Sequence, residues 1–459
     1  MDFDAFAHRL VLGAAAVAAC LMPAQNDTWW QLRAGADIWR TGTIPLVDHH
    51  SLTAAGRDWP DHEWLWQAAA YAVHAVGGMP LLTAVNAAMA IAALIVVRRL
   101  APARGRVGII VLVLVIPLLS AEWTLRPQVA TLLFFAVTLS ALAHDRFLVL
   151  PPLFLIWANV HAGVAAGGLL LVLVTGTALI VHARSRTVAS RGRTVRVGLV
   201  TAVCALLTLL NPLGPVLWRY VLSSPSTPGR SSLQEFHTAF HLDPVSIGSW
   251  IFIAATAAAV VTRRDRFASW PNLLLPVAAI GMSALTIVAA RNVALLMLVA
   301  LPTLIVAFCP ADPGPRDVVP AARQLLGCAA LVGCVVVALS WAQPLGRLGW
   351  NPISPAAQRA VRQCPEPLYN TYAEGGPLLW FVPQVPVFID SRFDPYPSSV
   401  VLEDRHAEAS GDYRPLFTRW RIRCAVVPPG SAIAGSLRSD GWRQQYADAD
   451  WAVLLRPVR

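Results

Sequence analysis

The run AGVAAGGLLLVLVTGTALIVH, residues 162–182, decides the fold class. It holds no Asp, Glu, Lys or Arg, and Arg184, Arg186, Arg191, Arg193 and Arg196 follow it directly. A bilayer core of about 30 Å needs about 20 mostly apolar helical residues. An apolar segment of that length ending in clustered arginine reads as a membrane span whose end meets the cytoplasmic surface. Comparable runs lie at 9–24, 80–97, 107–121, 128–144, 147–160, 197–211, 246–262, 271–289, 292–309 and 322–341. The run 147–160 is short and contains Pro151 and Pro152. The reading is an all-α polytopic membrane protein of about eleven transmembrane helices.

Composition agrees. Hydrophobic residues make up 56% of the 459 and charged residues 14%, against roughly 45–50% and about 25% in soluble domains. The net charge of +10 comes from 36 arginines and no lysine. With the N-terminus inside, sixteen arginines fall in cytoplasmic connections, seven in outside connections and thirteen beyond residue 342. That bias orients the whole series and puts the tail outside. It also requires the Trp-rich segment 63–78 to lie in the membrane interface, because an extra span there would move Arg98–Arg106 outside. Basic residues interleaved with apolar runs speak against nucleic-acid binding. No cleavable signal is apparent after Arg9. The division expected is 1–341, a transmembrane domain that includes the first outside loop 25–79, and 342–459, a small extracytoplasmic α/β domain.

Chemistry gathers in the outside segments. The loop 25–62 holds Asp27, Asp37, Asp48, Asp58 and Asp61 with His49, His50 and His62, and Glu63 follows. Asp27, flanked by Trp29 and Trp30 at headgroup level, is either a functional carboxylate or an interfacial anchor that N-caps a helix through Leu32–Arg40. In Glu122-Trp123-Thr124-Leu125-Arg126-Pro127-Gln128 the acid and the arginine either pair with each other or meet a ligand. In Trp157-Ala158-Asn159-Val160-His161-Ala162-Gly163 the polar residues either cap two helices or join the same site. Asn211-Pro212-Leu213-Gly214, Glu235 and Arg291-Asn292 reach the same side. Carboxylates there suit a general base or a divalent ion, and Arg and His suit a lipid phosphate. The tail offers β-type segments at Val385–Asp390, Cys424–Val427, Trp442–Tyr446 and Trp451–Leu455, the last two as a hairpin. Helices are expected near Gly376–Phe381 and over Ser398–Ala409. Asp390 and Arg392 end an apolar strand, either as a turn-closing pair or as contacts for an acceptor. Cys364 and Cys424 share the outside domain, where a disulfide is permitted.

These residues carry a family resemblance. Asp27-Thr28-Trp29-Trp30-Gln31-Leu32-Arg33-Ala34-Gly35, Gly42-Thr43-Ile44-Pro45 with Asp48, and Trp59-Pro60-Asp61-His62-Glu63-Trp64-Leu65 are its first stretches. Arg126-Pro127-Gln128, Trp157–His161, Asn211-Pro212, Tyr369-Asn370 through Gly375-Gly376, and Val387–Arg392 continue it in order. The chain resembles bacterial membrane proteins of the GT-C glycosyltransferase superfamily, in a branch related to dolichyl-phosphate-mannose protein mannosyltransferases. The resemblance implies inverting sugar transfer from a polyprenyl-phosphate carrier to a glycan, lipid or protein acceptor on the outer face of the bacterial plasma membrane. It implies Asp27 and Glu122 as catalytic acids that could also hold a divalent ion, Mg or Mn. Arg126, His161 and Arg291 are then expected at the donor phosphate, and Asp48, His62, Glu63, Asp390 and Arg392 in acceptor or accessory roles. Asp37, Asp48 and Asp61 compete with Asp27 for its role. Two rival functions are a transporter of a lipid-linked substrate and a non-catalytic assembly scaffold. A transporter predicts ionisable residues near mid-membrane, which the spans 80–97, 107–121, 292–309 and 322–341 nearly lack.

Overall fold

The computed structural model describes residues 3–101, 106–223, 238–309, 322–342 and 348–457. Its helices begin with α1 (Phe3–Cys20), α2 (Asn26–Thr41), α3 (Trp64–Arg98), α4 (Arg106–Leu119), α5 (Gln128–Ala143) and α6 (Leu150–Val160). Then come α7 (Val164–Ser185), α8 (Val188–Leu207), α9 (Val216–Ser223), α10 (Pro244–Thr262), α11 (Trp270–Val288), α12 (Val293–Phe308) and α13 (Ala322–Ala342). The last part of the chain holds α14 (Pro355–Arg362), β1 (Leu368–Asn370), α15 (Tyr372–Phe381), α16 (Ser398–Ser410) and α17 (Arg414–Arg419). It closes with β2 (Cys424–Val427), α18 (Ala432–Ser439), β3 (Arg443–Ala447) and β4 (Ala452–Leu455). Two compact units form: Met1–Met22 with Pro80–Gln343, and Pro23–Met79 with Pro344–Arg459.

The first unit is a bundle of apolar helices. Trp64–Arg98, of which this unit holds the part from Pro80, and Val164–Ser185, Pro244–Thr262, Trp270–Val288 and Ala290–Phe308 are long and apolar enough to cross a membrane. Shorter apolar helices cover Ala5–Cys20, Val107–Glu122, Gln128–Ala143, Phe147–Val160 and Gly327–Trp341, and the run 197–211 falls mostly on α8. Helix α12 is buried almost all round and packs against α4, α10 and α11. Val172, Leu179 and Ile180 of α7 and Leu199 and Leu206 of α8 stay exposed, as lipid-facing side chains would. Helix α3 breaks at Gly77 (φ −139°) and Gly78 (φ 63°, ψ −160°), just before Pro80. That break separates the segment read as interfacial from the run 80–97, because Gly78 takes a backbone conformation that a side chain would oppose.

Hydrogen bonds between helix ends give this bundle two faces. On one, Trp341 donates to Cys20 O (3.0 Å), Asn86 to Trp123 O (2.8 Å), Asn159 to Leu210 O (2.9 Å) and Ala239 N to Ile287 O (3.2 Å). On the other, His8 meets Arg98 (3.2 Å), Arg193 donates to Asp145 (3.0 Å), Trp270 to Leu142 O (3.3 Å) and Arg266 to Cys309 O (2.8 Å). The arginine-rich connections lie on the second face, and the connections after α4, α6 and α11 lie on the first.

The second unit revises the domain division read from the sequence. The loop 25–79, assigned there to the membrane domain, packs instead with the tail. Trp30, Ala34 and Trp59 share one core with Val361, Leu368, Val387, Val426 and Val453. The sheet order is β1-β2-β4-β3, with β1 parallel to β2 and the other pairs antiparallel. The hairpin β3–β4 matches its expected position; β1, three residues long, was not anticipated. Val385–Asp390, expected as a strand, forms no strand of this sheet. It makes one parallel bridge, Ser51 to Val387, with Leu52 N donating to Val387 O (2.7 Å) and Val387 N to His50 O (3.1 Å). The Asn370 side chain supplies what a strand partner would: it accepts from Phe388 N and donates to Ile389 O, both at 2.7 Å. Cys364 and Cys424 are joined as a disulfide between the end of α14 and β2.

Glycines set how closely these helices approach. A Cβ on Gly35 of α2 would lie 2.1 Å from Gln67 O, and one on Gly376 of α15 would lie 2.2 Å from Asn26 O. Both positions belong to the stretches that carried the resemblance, and close backbone approach accounts for them physically.

Candidate active site

Helix α2 starts one residue before Asp27. Gln25 is its N-cap, and the backbone N–H of Gln25 is returned to Thr28 Oγ1 at 3.2 Å. Asp27 therefore sits in the first turn, where the helix dipole favours a carboxylate, and is not the N-cap considered from the sequence. The indole of Trp30 donates to Asp27 Oδ1 at 3.2 Å. Trp29 and Trp30 are both buried, against Phe381 and Trp59 respectively. They steady the first turn from inside the unit.

Four residues beyond Asp27, on the same face of α2, Gln31 donates to Glu63 Oε2 at 3.1 Å and accepts from Trp66 Nε1 at 3.0 Å. Sequence reasoning missed Gln31, although its i+4 spacing from Asp27 was visible. His62 lies 3.4 Å from Glu63 through Nε2 and 3.1 Å from Pro60 O through Nδ1. Its pKa rises to about 9: burial pulls it down, but Glu63 and then Asp394 outweigh burial by stabilising the imidazolium. Asp61 is pushed up to about 7, chiefly by burial, although Glu63 N (3.2 Å) and Gln67 Nε2 (2.7 Å) donate to it. The structure thus joins His62 and Glu63 to the helix that carries Asp27.

The acids that competed with Asp27 are otherwise engaged. Asp37 pairs with Arg33 (2.9 Å), Arg40 (2.8 Å) and His50 (3.1 Å). Burial opposes its ionisation, but the bonds from His50 and Arg33 hold its pKa down at about 2. Asp48 is fully buried and pairs with Arg392 at 2.6 Å. Burial works against its charge, yet Arg392 and the Ser51 bonds keep the carboxyl below its ordinary range. Asp390 accepts two bonds from Arg392 Nε, at 2.9 and 3.0 Å, one from Nη2 at 2.6 Å, and one from Tyr396 OH at 2.6 Å. The guanidinium lies 4.7 Å from the Trp59 ring centre. Asp48, Asp390 and Arg392 form a buried ionic clasp between the first loop and the tail. Its geometry is that of the pairing alternative considered for Asp390 and Arg392, with Asp48 as a third member.

In the first unit, Asn86 and the fully buried Trp123 hold the connection after α4, leaving Glu122 and Arg126 partly exposed. The connection after α6 places His161 against Thr131 (2.8 Å), while Asn159 ties α6 to the end of α8. Arg291 lies in a single 3₁₀ turn, Ala290–Asn292, whose Asn292 side chain donates to Leu285 O at 3.0 Å. Glu122, Arg126, His161 and Arg291 share the face opposite the arginine-rich connections. Glu235 lies outside the described residues. Among the described residues no three His, Cys, Asp or Glu side chains gather as a metal site, Asp27 and Glu122 included.

No protein-family model matches the chain, and no curated protein matches it. Solved structures do. ArnT from Cupriavidus metallidurans in the apo state aligns with a TM-score of 0.53 and 13% identity, over 96% of this chain and 95% of that one. The same protein bound to undecaprenyl phosphate aligns at 0.51 and 13%, over 98% and 96%. The archaeal oligosaccharyltransferase AglB from Archaeoglobus fulgidus, in complex with an inhibitory peptide and a dolichol-phosphate, aligns at 0.52 and 10%, over 92% and 69%. The A. fulgidus oligosaccharyltransferase solved with Zn and sulfate aligns at 0.52 and 12%, over 91% and 68%. These alignments run along nearly the whole chain: this protein has the fold of ArnT and of the archaeal oligosaccharyltransferase.

Proposed function

We propose that the chain is a membrane glycosyltransferase that moves a sugar from a polyprenyl-phosphate-linked donor to an acceptor hydroxyl on the outer face of the bacterial plasma membrane. The observation that carries this reading is the pairing of the GT-C fold with two groups of side chains. One is a carboxylate in the first turn of the first-loop helix; the other is Arg126, His161 and Arg291 on a single face of the membrane bundle. Two solved proteins of the same fold hold a lipid phosphate.

In the proposed reaction the acceptor oxygen attacks C1 of the sugar from the side opposite the phosphate. The new C1–O bond forms as the C1–O bond to phosphate breaks, and the configuration inverts. Asp27 takes the hydroxyl proton as general base. The polyprenyl phosphate departs with the bond's electron pair, and Arg126, which can give two parallel N–H bonds, meets its charge with His161 and Arg291. His62 and Glu63, through Gln31, hold the helix face that presents Asp27. The test is transfer from a radiolabelled polyprenyl-phosphate sugar. Asp27→Asn is expected to lower turnover by about 10²-fold or more, the scale of a lost general base; full turnover in that variant sinks the role given to Asp27.

A further inference from the structure

His161 is oriented by neighbours from two helices and one connection of the membrane unit. Gly163 N–H donates to its Nδ1 at 3.2 Å, and Thr131 Oγ1 lies 2.8 Å from the same nitrogen. Trp157 Nε1–H donates to that Thr131 oxygen at 3.0 Å. A backbone N–H and an indole N–H can only donate. Nδ1 therefore presents its lone pair to Gly163, and Thr131, having accepted from the indole, gives its own hydrogen to Nδ1. The ring proton sits on Nε2. Trp157, Thr131 and His161 are all buried. A Cβ at residue 163 would lie 2.5 Å from Thr131 Oγ1 and 2.6 Å from His161 Nδ1, so the arrangement demands glycine there.

We infer that Thr131 and Trp157 are positioning residues that lock His161 as an Nε2–H donor to an anionic oxygen of the lipid-linked phosphate. This deepens the transfer reaction proposed above and rests on it. With the proton on Nδ1 instead, Nε2 would turn a lone pair toward an anion. The indole and hydroxyl prevent that at no charge cost, since the imidazole stays neutral and still donates. Nothing in the local sequence shows the partnership, because Thr131 belongs to α5 and its ring partners to α6 and the turn after it.

The experiment uses the full-length protein in lipid nanodiscs, labelled with ¹⁵N-histidine, and His161→Gln identifies the signal. The wild type is expected to show an Nε2–H ring whose signal moves with undecaprenyl phosphate, and not with undecaprenol or inorganic phosphate. Thr131→Val and Trp157→Phe are expected to mix the two tautomers. Both should lower kcat/KM for the polyprenyl-phosphate sugar about tenfold, the scale of one hydrogen bond to a charged group, with the KM raised by the lost ground-state contact and kcat lowered because that contact strengthens as the phosphate leaves. Thr131→Ser, which keeps the hydroxyl, restores the ring and kcat/KM. A wild-type ring protonated on Nδ1, or a Thr131→Val variant with unchanged tautomer and kcat/KM, overturns the inference. A response to inorganic phosphate equal to the lipid's overturns the lipid-linked source. Wild-type protein that binds no undecaprenyl phosphate overturns the transfer reading and the ligand named here together. The tautomer and Thr131→Val results alone fail if only the positioning is wrong.

Discussion

Asp61 and His62 are adjacent in the chain, and both pKa values are raised, that of Asp61 by burial and that of His62 by Glu63 and Asp394 against burial, so both respond to pH in the same direction. The Asp61 carboxyl goes from 3.8 in an ordinary setting to about 7 here, so its buried, proton-bearing form opposes folding more and more as pH rises between those values. His62 goes from 6.5 to about 9, so its contribution is complete below 6.5 and is lost as pH climbs through 9. The Pro23–Met79 and Pro344–Arg459 unit should therefore lose stability steadily from about pH 4 to pH 9. Asp61→Asn, neutral throughout, should flatten the lower half of that slope in thermal unfolding measured across pH, and leave the upper half. An Asp61→Asn protein with the wild-type slope below pH 7 would contradict the burial described for this carboxyl. At this scale the sequence showed which side chains could act and not which were occupied. Asp48 and Arg392 were both legible as charged candidates, but their pairing spans most of the chain and leaves no mark on local spacing.

Among elements, the close approaches at Gly35 and Gly376 are where small substitutions should matter most. Gly376→Ala puts a methyl group onto the Asn26 carbonyl, one residue before Asp27. The helix must move away or the side chain must strain, at about 1–3 kcal/mol, and transfer activity should fall more than stability does because the carboxylate proposed as the base is displaced. Gly435→Ala in α18, with open space around it, should be neutral or stabilising by up to about 1 kcal/mol. Melting temperature and turnover of the two variants, side by side, separate packing from general glycine loss; equal behaviour would refute the close-approach account. The element scale was also where the sequence was most and least readable. Each of the eleven apolar runs falls largely on a helix, because a helix satisfies the backbone hydrogen bonds of a long apolar stretch within the stretch itself. Strands were harder. Leu368–Asn370 is too short for a periodic signal, and Val385–Asp390 carries a strand's composition but finds its partner in residues 50–52.

For the whole molecule, the arginine count and the bonding of helix ends describe the same two-faced bundle by independent routes. Disulfides persist in oxidising compartments, so the bond between Cys364 and Cys424 supports the outside placement proposed for the tail. Alkaline phosphatase fused after Arg459 should consequently be active in bacterial cells, and a fluorescent protein inserted at Arg146 should glow while phosphatase there stays inactive. The reverse pattern would invert the membrane and the proposed function with it. The chain passes between its two units after residues 22, 79 and 343. Residues 23–79 are made first and meet the tail only after residues 80–343 have been synthesised. At 5–20 residues per second that interval is on the order of tens of seconds. Throughout it Trp30 and Trp59 lack the tail residues that complete their core, and Asp48 lacks Arg392. The timetable of synthesis therefore makes the last hundred residues an assembly signal for the first loop: a ribosome that stops early leaves the membrane helices inserted and the acid-bearing helix without its support.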